Sequence, residues 1–84
     1  MRPILRENKN PLPPSSRHDQ REDGLYIKSF KIATRSAGVY LDEHEQLMAL
    51  RAAGGSESQV RKLVELLHKE RLTAAATILE KVVH

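Results

Sequence analysis

Sizeable apolar side chains are nearly missing from residues 1–24, where Ile4, Leu5 and Leu12 stand among all four prolines of the chain and a polar run over residues 15–23. A segment of that composition buries too little surface to offset the entropy of ordering its backbone, so residues 1–24 are expected to form a flexible Pro-rich arm. About 60 residues then remain for a core, which is marginal for a chain with no cysteine to staple it and no clustered metal ligands. Association is the cheapest way to bury more surface, and a homodimer or tetramer is expected.

The same features bound the setting. Without cysteine there is no disulfide framework, which fits a reducing compartment and makes the cytoplasm the default expectation. No run approaches the ~20 apolar residues of a membrane helix, and the N-terminus lacks the apolar stretch of a secretory signal. A soluble protein with no membrane partner is expected. The net charge of +3 is unevenly placed: residues 25–41 carry Lys28, Lys31 and Arg35 with no acid, whereas residues 42–84 are slightly acidic.

Residues 25–84 read as the folded part. Leu25, Tyr26, Ile27, Phe30 and Ile32 gather nearly all the aromatic side chains in a stretch that alternates as a strand does, running on towards Arg35. Apolar groups occupy both phases, so the inward face is open. As the one good strand candidate, it must pair with its copy in another subunit or with a ligand. Residues 42–53 read as a helix, with Asp42 as N-cap, Glu43 and Glu45 at the positive end of the dipole, and Leu47, Met48 and Leu50 on an apolar side. Gly54 and Gly55 end it. Ser56 or Ser58 then caps a second helix, with Val60, Leu63, Val64 and Leu67 at helical spacing. Beyond Glu70 the apolar register moves to Leu72, Ala75, Ala76, Leu79, Val82 and Val83. Either one helix continues with two engaged faces, or Thr73 caps a third. In both cases the C-terminal segment is an amphipathic helix that wants a partner surface.

The order of strand, helix, glycine turn and Ser-capped helix resembles the ribbon-helix-helix family of DNA-binding proteins. The resemblance covers roughly half the chain and rests on residues 31–35, Val39, Tyr40 and Leu41 for the ribbon, Leu47 and Leu50 for the first helix, residues 54–58 for the turn, and residues 60–67 for the second helix. It implies a mainly α, two-fold dimer in which two strands pair into a ribbon that enters the major groove of double-stranded DNA. On that basis Lys31, Thr34 and Arg35 would read base edges and Lys28 would meet phosphate. Backbone amides near Ser56 and Ser58 would hold a second phosphate. Leu47, Leu50, Val60, Leu63, Val64 and Leu67 would form the dimer core.

Each of these residues also has a plainer use. Lys28, Lys31 and Arg35 suit a solvated edge strand, where lysine discourages aggregation, and the two serines suit ordinary capping. His18, His44, His68 and His84 are scattered, and His44 within Asp42, Glu43 and Glu45 lacks a second ligand at helical spacing, so no metal and no cofactor are expected. No nucleophile–base set, phosphate loop or carboxylate pair is present, and the chain is not expected to be an enzyme. The leading expectation is a sequence-specific DNA-binding protein, such as a repressor, antitoxin, or partition or relaxosome accessory factor. The alternative is a small protein-interaction module that binds a host enzyme or other protein through its arm and helices. A third reading is RNA binding with Tyr26 and Phe30 as stacking groups.

Overall fold

The computed structural model describes residues 2–83, with Met1, His84 and the Val83 side chain outside the description. The arm is ordered. It contributes β1 (Ile4–Arg6), a single 3-10 turn (Glu7–Lys9) and helix α1 (Pro14–Glu22). The expectation of disorder counted apolar side chains, but what orders this segment is backbone pairing and charge. Strand β1 pairs antiparallel with a strand formed by Ser36–Tyr40, placing Ile4 opposite Tyr40 and Leu5 opposite Val39. Leu12 packs against the core, and the Glu7 carboxylate is held by Arg17 and Arg21 of α1. Pro14 opens α1, where a missing backbone N–H costs nothing.

Residues 25–29 are not a strand. Tyr26 and Ile27 are buried, and the backbone polar groups here find long side chains in place of a ladder. Arg51 donates to Leu25 O at 2.9 Å, Arg21 to Ile27 O at 2.8 Å and Arg71 to Lys28 O at 2.9 Å, while Lys28 N–H donates to His68 Nε2 at 3.0 Å. Each of these groups is satisfied by a residue from one of three helices, at part-buried Leu25 O and Ile27 O and at exposed Lys28 alike. Apolar groups in both phases therefore record that Leu25, Tyr26 and Ile27 are enclosed on several sides, while Lys28 and Ser29 are exposed.

Strand pairing begins only at β2 (Phe30–Ala33), which folds back through Thr34 and Arg35 onto β3 (Ser36–Tyr40). No non-glycine residue among those described has a positive φ, so the mirror-image turns usual in tight hairpins are not used. A register shift between Lys31 and Ala33, which leaves Ile32 as the extra residue, accommodates the turn. The sheet order is β1-β3-β2, all antiparallel. Both edges of β3, the strand that leads into the next helix, are thus occupied within one chain. The expected lone strand therefore has a partner within its own chain, β2 on β3, and the arrangement is a mostly helical domain with a three-stranded sheet, not a plain ribbon-helix-helix.

Gly38 sits at the centre of that sheet because its neighbours close over it. A Cβ there would stand 2.7 Å from Leu5 O, 2.8 Å from Ile32 Cδ1 and 2.9 Å from Ile4 Cγ2. Gly38→Ala is expected to cost about 1–3 kcal/mol, because a backbone carbonyl cannot move aside as a side chain does. An unchanged midpoint in urea unfolding would contradict this strand order.

Helix α2 (Leu41–Ala52) matches the sequence reading to within a residue at each end. Asp42, however, lies in its first turn and accepts the Glu43 N–H at 2.8 Å, while Tyr40 occupies the cap position. Gly54, at φ +84°, closes the helix: Gly55 N–H reaches Leu50 O at 3.0 Å. Helix α3 then opens with a reciprocal cap, Gln59 N–H to Ser56 Oγ at 3.2 Å and Ser56 N–H to Gln59 Oε1 at 2.9 Å. It runs unbroken over Glu57–Val83. Thr73 caps no third helix; its hydroxyl donates back to Lys69 O at 3.1 Å, as Thr77 does to Thr73 O.

Leu47, Val60, Val64 and Leu67 are buried with Tyr26, Ile27 and Val39, and Leu50 and Leu63 pack around them. The residues expected to form a dimer core therefore close a core inside one chain. The extra surface came from the ordered N-terminal segment, whose Leu5 and Leu12 join it.

Candidate interaction surface

The first half of α3 lies in the core and the second half leaves it. Val60, Val64 and Leu67 face α2 and the 25–29 segment, and every described side chain from Leu72 onward is exposed. Leu72, Leu79 and Val82 are 71%, 60% and 75% exposed, and Ile78 is 60% exposed. The shift of apolar register near Glu70 is where the helix passes from covered to uncovered. A cleft of about 290 Å³, lined by Lys28, His68, Arg71, Leu72 and Ala75, marks that transition.

A charged cluster fixes the helix at that point. Glu43 is fully buried in the first turn of α2. Arg71 donates to it from Nε at 3.0 Å and again from Nη2, and Arg2 donates to Glu43 Oε2 at 3.3 Å. Arg2 also holds Asp42 through two bonds of 2.9 and 3.1 Å and lies 3.7 Å above the Tyr40 ring. The Arg2 bonds pull the Asp42 carboxyl below the usual carboxylate range and hold the guanidinium proton more tightly. Arg71 stands 5.4 Å from both the Phe30 and Tyr40 rings, which pack 4.8 Å apart. The C-terminal half of α3 therefore projects from a residue tied to α2, to residue 28 and to the sheet.

A second buried network joins the N-terminal segment to α2. Asn10 Nδ2 donates to the Tyr26 hydroxyl at 2.8 Å, and that oxygen lies 2.8 Å from His44 Nδ1. Burial raises the Tyr26 hydroxyl and lowers the His44 imidazole; His68 is also lowered, by burial first and then by Arg71 and Lys28. Because both imidazoles are harder to protonate when folded, the unfolded chain takes up protons first as the pH falls. Stability is expected to be complete above about pH 6.5 and to decline as pH falls below it towards 5. His44→Gln should flatten that decline, and urea midpoints measured from pH 8 to 5 check it; a midpoint that rises on acidification would contradict the sign.

The residues singled out for DNA are divided among three places. Lys31, Thr34 and Arg35 are exposed together at the turn end of the β2–β3 hairpin. Arg35 lines a cleft of about 270 Å³ with Arg6, Asn8, Ser36, Ala37 and Glu7, so the arm supplies a second arginine that sequence reasoning did not associate with it. Lys28 belongs instead to the base of the projecting helix. Ser56 is occupied in its capping box and Ser58 sits in the first turn of α3, and neither lines the Arg6–Arg35 cleft. Tyr26 is 1% exposed and offers no ring face for a base. Among the described residues no three His, Asp or Glu side chains gather as metal ligands would, and no helix is long and apolar enough to cross a membrane.

Glu43, Arg71 and Arg2 were not anticipated as a unit. Their separations follow no helical or strand period, and only tertiary structure brings them together. The exposed stripe was visible, because apolar residues at helical spacing register whether or not anything covers them. Compared with protein-family models, curated proteins and solved structures, the chain finds no match.

Proposed function

We propose that the chain is a non-enzymatic protein-interaction module that docks through the projecting half of α3. The observation that carries this reading is the exposure of Leu72, Leu79 and Val82 on one side of a helix whose preceding turns are locked into the core. A contiguous apolar face on a preformed helix is the form in which helices enter hydrophobic grooves, with anchors at i, i+3 or i+4, and i+7. Pre-ordering by the core removes much of the entropic cost of presenting it. Leu72→Glu combined with Leu79→Glu should abolish association while leaving the urea midpoint unchanged. Affinity capture from extracts of the source cells, together with sedimentation of the purified protein, reads this out. If the wild-type chain neither self-associates nor retains a protein that the variant loses, the reading fails.

A second reading is favoured by the hairpin end. Arg6, Lys31 and Arg35 form no ion pair among the described residues, and two of them line one cleft. A two-stranded hairpin fits the major groove of DNA, and free guanidinium groups suit phosphate and guanine. Sequence-specific DNA binding would then depend on Lys31, Thr34 and Arg35, with Arg6 on the backbone. Lys31→Glu with Arg35→Glu should abolish retention of fragmented source DNA at ~150 mM salt, where weak phosphate-only contacts are mostly suppressed. Equal retention by wild type and variant would remove this reading.

A further inference from the structure

We infer that the projecting half of α3 takes as its partner the same segment of a second copy, antiparallel, about a two-fold axis between Ala75 and Ala76. The inference rests on the docking reading and names its occupant. Helical geometry sets the faces: Leu72, Ala75, Ala76, Leu79 and Val82 fall within a sector of about 120°. Lys69 and Glu80, about three turns apart, lie along one flank of that sector, and His68, Ala75 and Val82 recur along the other.

A two-fold axis places each residue opposite its reciprocal, so that each flank meets the same flank of the second copy. With the axis between Ala75 and Ala76, Leu72 stands across from the second copy's Leu79, and small side chains at the centre let the backbones approach. Lys69 then faces the second copy's Glu80, and the contact occurs twice. A parallel pair would set each flank against the opposite one, so that Lys69 and Glu80 would meet the His68, Ala75 and Val82 side of the second copy and not each other. On the other flank, the second copy's Val82 arrives at the level of His68, at the edge of the 290 Å³ cleft that His68 lines. The antiparallel arrangement also keeps the two folded bodies at opposite ends of the helix pair, whereas parallel pairing crowds them at the same end.

The paired segments, residues 69–82, are about 21 Å long at ~1.5 Å per residue. Such a contact buries less than the ~1,200 Å² of the smaller stable interfaces, so dissociation in the micromolar range is expected.

Sedimentation velocity of the full chain from ~5 to ~500 µM should show a monomer passing to a dimer. Lys69→Glu or Glu80→Lys alone should weaken the dimer about tenfold, and the two changes together should restore it. The chain has no cysteine of its own, so disulfide trapping reports orientation directly. A mixture of Leu72→Cys and Leu79→Cys proteins should cross-link to each other, and neither should cross-link to itself. A chain that stays monomeric at the highest concentration, a double charge reversal that fails to restore the dimer, or self-linking of Leu72→Cys overturns the inference. If the chain is monomeric but Leu72→Glu with Leu79→Glu still removes a captured protein, docking through α3 stands and only the second copy is excluded as its occupant.

Discussion

Replacing Arg71 by alanine should cost about 3–5 kcal/mol of folding stability, the range found when one member of a buried ion pair is removed. The magnitude follows from what is left behind. Glu43, whose side chain is 1% exposed, would keep only the partly exposed Arg2 as a charged partner, and Lys28 O would lose its donor. A domain of this size rarely has more than about 3–5 kcal/mol to lose, so the variant should be largely unfolded at 25 °C. Arg71→Lys should recover little, because an ammonium group cannot span both the carboxylate and the carbonyl as the planar guanidinium does. Glu43→Leu with Arg71→Met should recover more than either single change, since no charge is then stranded. Urea unfolding of these five variants, the two single changes of the pair included, decides it; a loss below about 1 kcal/mol for Arg71→Ala would mean that the pair is solvated.

Removal of residues 1–13 should unfold the remainder. The deletion takes away β1 and so opens one edge of β3, and it removes Leu5 and Leu12 from the core. It strips Arg17, 8% exposed, and Arg21 of the Glu7 carboxylate, and the Tyr26 hydroxyl of its Asn10 donor. Loss of the helical circular dichroism signal and collapse of amide chemical-shift dispersion are the expected observations. A truncated chain that keeps both would show that the N-terminal segment is an appendage. Partner-binding tests that delete this segment would therefore report folding before they report recognition.

The contrast between these two segments and the helices shows where sequence is informative. Helix α2 and the start of α3 were legible because apolar residues repeat at 3.6 and because Ser56 with Gln59 makes a local, reciprocal cap. Helix α1 has no such signal: Pro14–Glu22 contains no sizeable apolar side chain, and its ordering depends on arginines that reach Glu7 and Ile27 O. Strand β3 was obscured by Ala37 and Gly38, residues poor in strand propensity that are needed where Ile4 and Ile32 close over the sheet. Alternation over residues 25–29 was real but misread, since side chains of three helices can satisfy an extended backbone as well as a neighbouring strand can. The apolar stripe of α3 was legible and its exposure was not, because period reports a face without reporting what covers it.

The unbroken passage of α3 from core to solvent makes the helix a lever with a fixed phase. The direction in which Leu72 and Leu79 point is set by how Val64 and Leu67 seat against α2, with no hinge between them. One residue inserted after Arg71 would turn the stripe by about 100° and advance it ~1.5 Å, aiming it elsewhere without altering its composition. Whatever the stripe grips is held at a set angle and distance from the sheet, so a rotation of the gripped object is delivered to the body of the protein as a rotation.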